Sequence, residues 1–200
     1  MLEQLSIWRY CVRSENPSGA VNQQERLSNQ EQRCWFLAGL IEGEGSLCVS
    51  IKEHPSSRFG YLVQPEFFLY QHKIRRGLLE LAGSVFETGR IFPKHGNEDV
   101  LVFSILGRRR ILATVIPFHE RYMAFSCKKR DFQLFREIVV AMDRKEHHEA
   151  HGMVEIVKKA YQMNMCGKQR KRPMGTVIER ILRDYTPNPL VESGEDIVRS

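Results

Sequence analysis

Two glutamates, Glu42 and Glu44, stand two residues apart in Leu37-Ala-Gly-Leu-Ile-Glu-Gly-Glu-Gly45, where Gly39 and Gly43 lie one helical turn apart. Carboxylate, backbone carbonyl and water are the ligands that a hard divalent cation such as Mg²⁺ takes. The apolar residues around the pair read as a helix that Gly45 ends. The C-terminal end of a helix carries partial negative charge, so acids placed there are disfavoured unless a cation offsets them. Each glycine inside a helix costs about 1 kcal/mol relative to alanine. Such a pair makes sense where another backbone approaches closely. Two breaches of local preference within one turn mark this stretch as a functional site.

The elements that must position these acids follow from hydrophobic period. A helix is expected from an Asn29 N-cap through Gln30 to Gly45, with Trp35, Phe36, Leu37, Leu40 and Ile41 on its apolar side. Leu47, Val49 and Ile51 alternate with Ser46, Cys48, Ser50 and Lys52, the pattern of a half-buried strand. A second strand is expected over Tyr61–Tyr70, a helix over Ile74–Ala82 closed by Gly83, and strands near Ser84–Phe92 and Asp99–Leu106. Helices should follow at Arg108–Ile116, from a Ser126 N-cap to about Lys145, at His148–Asn164 and at Thr176–Asp184. This order describes an α+β domain whose sheet has one face packed against helices. Residues 1–29, with a turn at Ser14–Gly19, read as an N-terminal extension, 30–165 as the domain, and 166–200 as a basic tail with a possible short helix.

Composition bounds the function. The 200 residues suit one domain with tails, and a net charge of +6 favours a polyanionic partner. Five cysteines, Cys11, Cys34, Cys48, Cys127 and Cys166, form no CxxC pair, which argues against a disulfide framework or zinc site and for a reducing, intracellular compartment. No apolar run reaches the length of a membrane span, and the N-terminus lacks a secretory h-region. His147 and His151 have the i, i+4 spacing of zinc ligands, but polar neighbours make them a solvated helix face. No Gly-rich phosphate loop or GxSxG elbow is present.

The nonapeptide Leu37–Gly45 resembles the signature of the LAGLIDADG homing-endonuclease family. Six of its nine positions agree by letter, and Glu42 and Glu44 stand where the family has aspartates. The resemblance implies an αββαββα fold with a saddle-shaped, antiparallel DNA-binding sheet backed by helices. It implies a sequence-specific double-strand DNA homing endonuclease, intron-encoded, cutting a long pseudo-palindromic target to leave short 3′ overhangs. Glu44, with the Gly43 carbonyl, would bind Mg²⁺ or Mn²⁺, Ca²⁺ being able to occupy the site without cleavage. Gln71 matches a family glutamine that orients the water nucleophile, and Arg75 the basic residue four positions later. Lys128 matches a solvent-network lysine, with Lys129 as the alternative.

No second copy of the motif occurs, and single-motif members act as homodimers. The resemblance thus implies pairing through Trp35, Ala38, Gly39, Glu42 and Gly43, with no membrane and no small-molecule substrate involved. It places the chain in a bacterial cytoplasm or an organelle. Base reading would fall to strand residues: Ser46, Cys48, Ser50, Lys52 and His54; Gln64, Glu66, Phe68 and Tyr70; and Arg90, Lys94 and Asp99. Arg108–Arg110 and Lys168–Arg172 would meet phosphates. A non-cutting RNA maturase or a DNA-binding regulator on the same fold is the alternative reading.

Overall fold

The computed structural model describes residues 21–164, 170 and 172–183. The turn read at Ser14–Gly19, Lys168 and the tail beyond residue 183 lie outside them. Helix α1 (Val21–Glu44) leads into strands β1 (Gly45–Glu53) and β2 (Tyr61–His72). Helix α2 (Arg76–Phe86) and strands β3 (Arg90–Lys94) and β4 (Asn97–Leu106) follow. Five helices complete the order: α3 (Arg108–Ala113), α4 (Val115–Tyr122), α5 (Lys129–Asp143), α6 (Ala150–Gln162) and α7 (Met174–Arg183).

The four strands make one antiparallel sheet in the order β1-β2-β4-β3. Its inner face supplies Leu47, Val49, Phe67, Leu69, Phe103 and Ile105, each at most 5% exposed, and the helices cover it with Leu37, Ile41, Leu79, Ile111, Phe135 and Ile138. Each such side chain contributes about 1.5–3 kcal/mol on burial. Phe67 sits at the centre, in edge-on contact with Phe86, Phe103 and His119.

Several element ends differ from the sequence expectation, each for a physical reason. Helix α1 starts at Val21, so Asn29 lies inside it. No proline or glycine separates Val21 from Asn29, and the polar residues there are mostly ordinary helix formers. Helix α2 runs through Gly83 to Phe86, because burying Phe86 against Phe103 and Phe118 outweighs the glycine penalty. Strand β3 therefore starts only at Arg90. The helix expected over Arg108–Ile116 breaks at Thr114. Pro117 lacks an N–H and fits only the first turn of a helix, so a new helix begins at Val115.

Strand β1 is an edge, and side chains from the chain's end cover its free carbonyls. Asn164 Nδ2 donates to Leu47 O at 3.0 Å, and Arg170 donates to Val49 O at 2.7 Å. Arg172 pairs with Glu53 at 3.1 Å. Arg170 and Arg172, expected to meet phosphates, are thus engaged with the protein. Arg108 is also engaged: it donates to Met142 O at 2.6 Å and lies 3.4 Å from the Asp143 carboxylate. Among the described residues no helix is long and apolar enough to cross a membrane.

His119 is 5% exposed in this core, stacked on Phe132, with its Nδ1–H donating to Val115 O at 2.9 Å. Burial pushes its imidazole from the ordinary 6.5 down to about 4, with Lys128 nearby acting in the same direction and Glu42 opposing. The unfolded chain thus takes up this proton more readily than the folded one. Its contribution is complete above the unfolded value and is lost as pH falls toward 4, by up to about 3 kcal/mol. Urea midpoints measured from pH 7 to 4 should fall with acid, and His119→Phe should flatten that slope. An unchanged slope in the variant would remove His119 from the account.

Candidate functional site

The end of α1 is built by a reciprocal exchange with the start of α5. Helix α1 has no basic residue in its last turn, so its terminal carbonyls and two acids lack local compensation. Lys128 supplies it from across the fold: Nζ donates to Gly45 O at 2.7 Å and to Ile41 O at 3.2 Å. Glu42 returns the favour to the other helix. Its carboxylate accepts from Ser126 Oγ at 2.6 Å and from Cys127 N at 3.0 Å, just before the N-terminus of α5. Ser126, expected as the N-cap of α5, instead holds Glu42 and accepts from Lys128 N at 3.0 Å, so the helix begins at Lys129.

Glu44 is left out of this exchange. It is exposed, and its side chain makes no hydrogen bond or ion pair with any described residue. Gly45 directly after it is sterically required, since a Cβ there would meet Ile41 O at 2.6 Å. Gln71 lies near the same end. Gln71 stands on β2 two residues beyond Leu69, the partner of Gly45, and pairs with Leu101 of β4. Gln71 is 7% exposed, yet its amide has no partner among the described residues. Arg75, in the 3₁₀ turn Lys73–Arg75, is exposed and has no side-chain partner among the described residues. Lys129 is exposed, and the α1 end is capped by Lys128 alone of the two lysines.

Beside Glu44, α1 presents an open face. Phe36 is 56% exposed, and a Cβ added at Gly39 or Gly43 would meet nothing within 4 Å. Trp35 is 52% exposed and meets Tyr122 edge-on. Two residues expected on this face point elsewhere. Ala38 is 6% exposed in the chain's own core, because it follows Leu37 around the helix toward the sheet. Glu42 is taken up by Ser126 and Cys127.

The outer sheet face carries the other expected residues in cross-strand rows. Ser46, Phe68, Ser104 and Arg90 form one row, and Cys48, Glu66 and Leu106 another. Tyr70, Val102 and Phe92 form a third, with Lys94 Nζ 5.6 Å from the Tyr70 ring centre. Ser50 pairs with Gln64, and Lys52 with Leu62.

Three of these residues are committed within the chain. Glu66 is 8% exposed, with Lys52 Nζ 3.5 Å away, because Cys48 and Leu106 flank it. Asp99 is held by Lys73 at 2.6 Å, and the hydrogen bond from Lys73 keeps its carboxyl below the usual range. His54 Nδ1 lies 3.1 Å from Ser57 Oγ in the β1–β2 turn. Burial raises the Cys48 thiol, so it stands here as a neutral contact group. The sequence reading passed over Leu62, Phe92 and Leu106, which share this face. Their signal was strand alternation continued to the apolar positions.

The donor set at the α1 end suits a hard cation only in part. Glu44 offers an uncommitted carboxylate next to terminal helix carbonyls, all oxygen ligands. Among the described residues no three His, Cys, Asp or Glu side chains gather to hold a metal.

Comparison with known proteins adds independent support. The model of the LAGLIDADG endonuclease family matches residues 37–139. DNA endonuclease I-CeuI of Chlamydomonas moewusii is 38% identical over 122 residues, 60% of this chain and 56% of that protein. Homing endonuclease I-ApeII of Aeropyrum pernix is 31% identical over 159 residues, 78% of this chain and 92% of that one. Among solved structures, the archaeal intron-encoded homing endonuclease I-Vdi141I in complex with DNA aligns with a TM-score of 0.72 at 30% identity, covering 78% of this chain and 98% of that chain. The group I intron-encoded I-CeuI, also in complex with DNA, aligns with a TM-score of 0.70 at 29% identity, covering 81% and 89%. With the motif, the sheet order and the reciprocal capping already in place, these matches show that the chain belongs to the LAGLIDADG endonuclease family.

Proposed function

We propose that this chain is an intron-encoded homing endonuclease that cuts double-stranded DNA at a long, specific site as a metal-dependent homodimer. The observation that carries this reading is Glu44: an exposed, unpartnered acid where a helix terminus disfavours it, beside a glycine-lined open face. Two copies joined along that face would bring two Glu44 side chains together and complete the site.

Phosphodiester hydrolysis needs a water nucleophile, offset of the charge that builds on the phosphate, and help for the leaving 3′-oxygen. A divalent cation held by Glu44 and the Gly43 carbonyl, Mg²⁺ or Mn²⁺, would supply charge neutralisation and a more acidic water. Gln71, its amide without a partner among the described residues, orients the attacking water. Arg75, exposed and without a partner among the described residues, offsets negative charge on the phosphate. Lys128 keeps the helix terminus in place and brings its positive charge to the same end. Ser46, Ser50, Gln64, Arg90 and Lys94 on the outer face meet the bases in the major groove. Arg109 and Arg110, exposed in α3, meet phosphates.

The test is direct. A plasmid carrying the intronless junction of the chain's own gene should be linearised with Mg²⁺, with short 3′ overhangs, and stay intact in EDTA. Tight binding of a structured intron RNA with no DNA cutting would instead favour the maturase reading. Cutting that survives EDTA would sink the metal.

A further inference from the structure

Large apolar residues are unexpected on the solvated face of an antiparallel sheet, which normally turns polar side chains outward. Here Leu62 and Phe92 are each 42% exposed and Leu106 is 37% exposed, and all three stand on the outer face. Phe92 and Leu106 sit in neighbouring strands at the ends of two separate rows, one led by Tyr70 and Val102, the other by Cys48 and Glu66. Val102 is 3% exposed although it points away from the core, so Tyr70 and Phe92 enclose it in a small apolar island. Arg90 precedes Phe92 by two residues on the same face, and Lys94 lies over Tyr70. Two cations, Arg90 and Lys94, thus flank the island, which suits a polyanion with apolar groups on its surface better than a purely apolar partner.

The major groove of duplex DNA has one apolar group on its base edges, the C5 methyl of thymine. Resting on the reading of this face as the DNA interface, we propose that Phe92 and Leu106 are specificity-determining residues, each reading one thymine per half-site through its methyl group. Neither side chain has a hydrogen-bonding atom to offer a base. Discrimination comes from burial of the methyl, and Arg90 and Lys94 hold the backbone or neighbouring bases while it occurs. The sequence preference at these two positions is therefore set by apolar contact, in contrast to the Ser50 and Gln64 row, where hydrogen bonding sets it.

The experiment uses the full chain in Ca²⁺ and a random-sequence duplex library, from which bound DNA is selected and sequenced. The selected site is then remade with deoxyuridine in place of each thymidine in turn, which removes only the methyl. Two positions per half-site should lose about fourfold in affinity on that exchange, the value for burying one methyl-sized group. Phe92→Ala should abolish the sensitivity at one position and Leu106→Ala at the other, each leaving the second position unchanged. The proposal is overturned if uracil DNA binds as tightly as thymine DNA, or if both variants keep both sensitivities. If the library yields no enriched sequence, the DNA-interface reading itself fails. An enriched but methyl-indifferent site overturns this inference alone.

Discussion

Glu44→Gln is expected to lower DNA cleavage by on the order of a thousandfold or more, while affinity for the target in Ca²⁺ stays within about threefold. The same variant should be slightly more stable than the parent. Glu44 has no partner among the described residues to lose, and it sits at a helix C-terminus where Lys128 is taken up by the Ile41 and Gly45 carbonyls and does not pair with the acid. Neutralising it removes a repulsion worth about 0.3–1 kcal/mol, a rise in Tm of about 1–3 °C. A residue whose removal stabilises the fold and stops the chemistry is held there for function. Glu42, two residues earlier, should behave in the opposite way. Glu42→Ala removes the acceptor for Ser126 Oγ and Cys127 N and should cost about 1–3 kcal/mol. Thermal melts and plasmid cleavage on the two variants separate these roles. A Glu44→Gln protein that cuts like the parent would overturn the assignment.

Gly39→Leu is expected to convert a dimer into a folded, inactive monomer. A Cβ at Gly39 meets nothing within 4 Å, so the side chain is accommodated within one chain. Leucine also forms helix better than glycine by nearly 1 kcal/mol, which keeps the monomer at least as stable. In a dimer packed along this face, two leucines would be forced between backbones that two glycines allow to approach. Sedimentation equilibrium should show the dimer weakened by about a hundredfold or more. Cleavage should vanish with it, because each chain brings one Glu44. A variant that stays dimeric, or a monomer that still cuts, would show that α1 pairs through another face or that one chain suffices.

Local pattern carried much of this. The period of Leu37, Ile41 and their neighbours placed the motif on a helix, and strand alternation separated the inner Leu47 and Val49 from the outer Ser46, Cys48 and Ser50. These are consequences of helical and pleated geometry over a few residues. Element ends were less legible where packing competes with propensity. Gly83 failed to stop α2 because Phe86 is held against Phe103, a residue of another strand.

The charges show the division most clearly. By itself the sequence determined that two acids end a glycine-bearing helix and that something must offset them, since the helix dipole depends only on the chain nearby. Which acid is free was decided by tertiary structure. Ser126 lies 84 residues from Glu42, and Lys128 lies 87 residues from Ile41. Hydrogen bonds over such separations follow from how α5 packs beside α1, which no local window contains. That packing commits Glu42 to the scaffold, gives the helix end its cation, and leaves Glu44 without a partner among the described residues, as the proposed function requires.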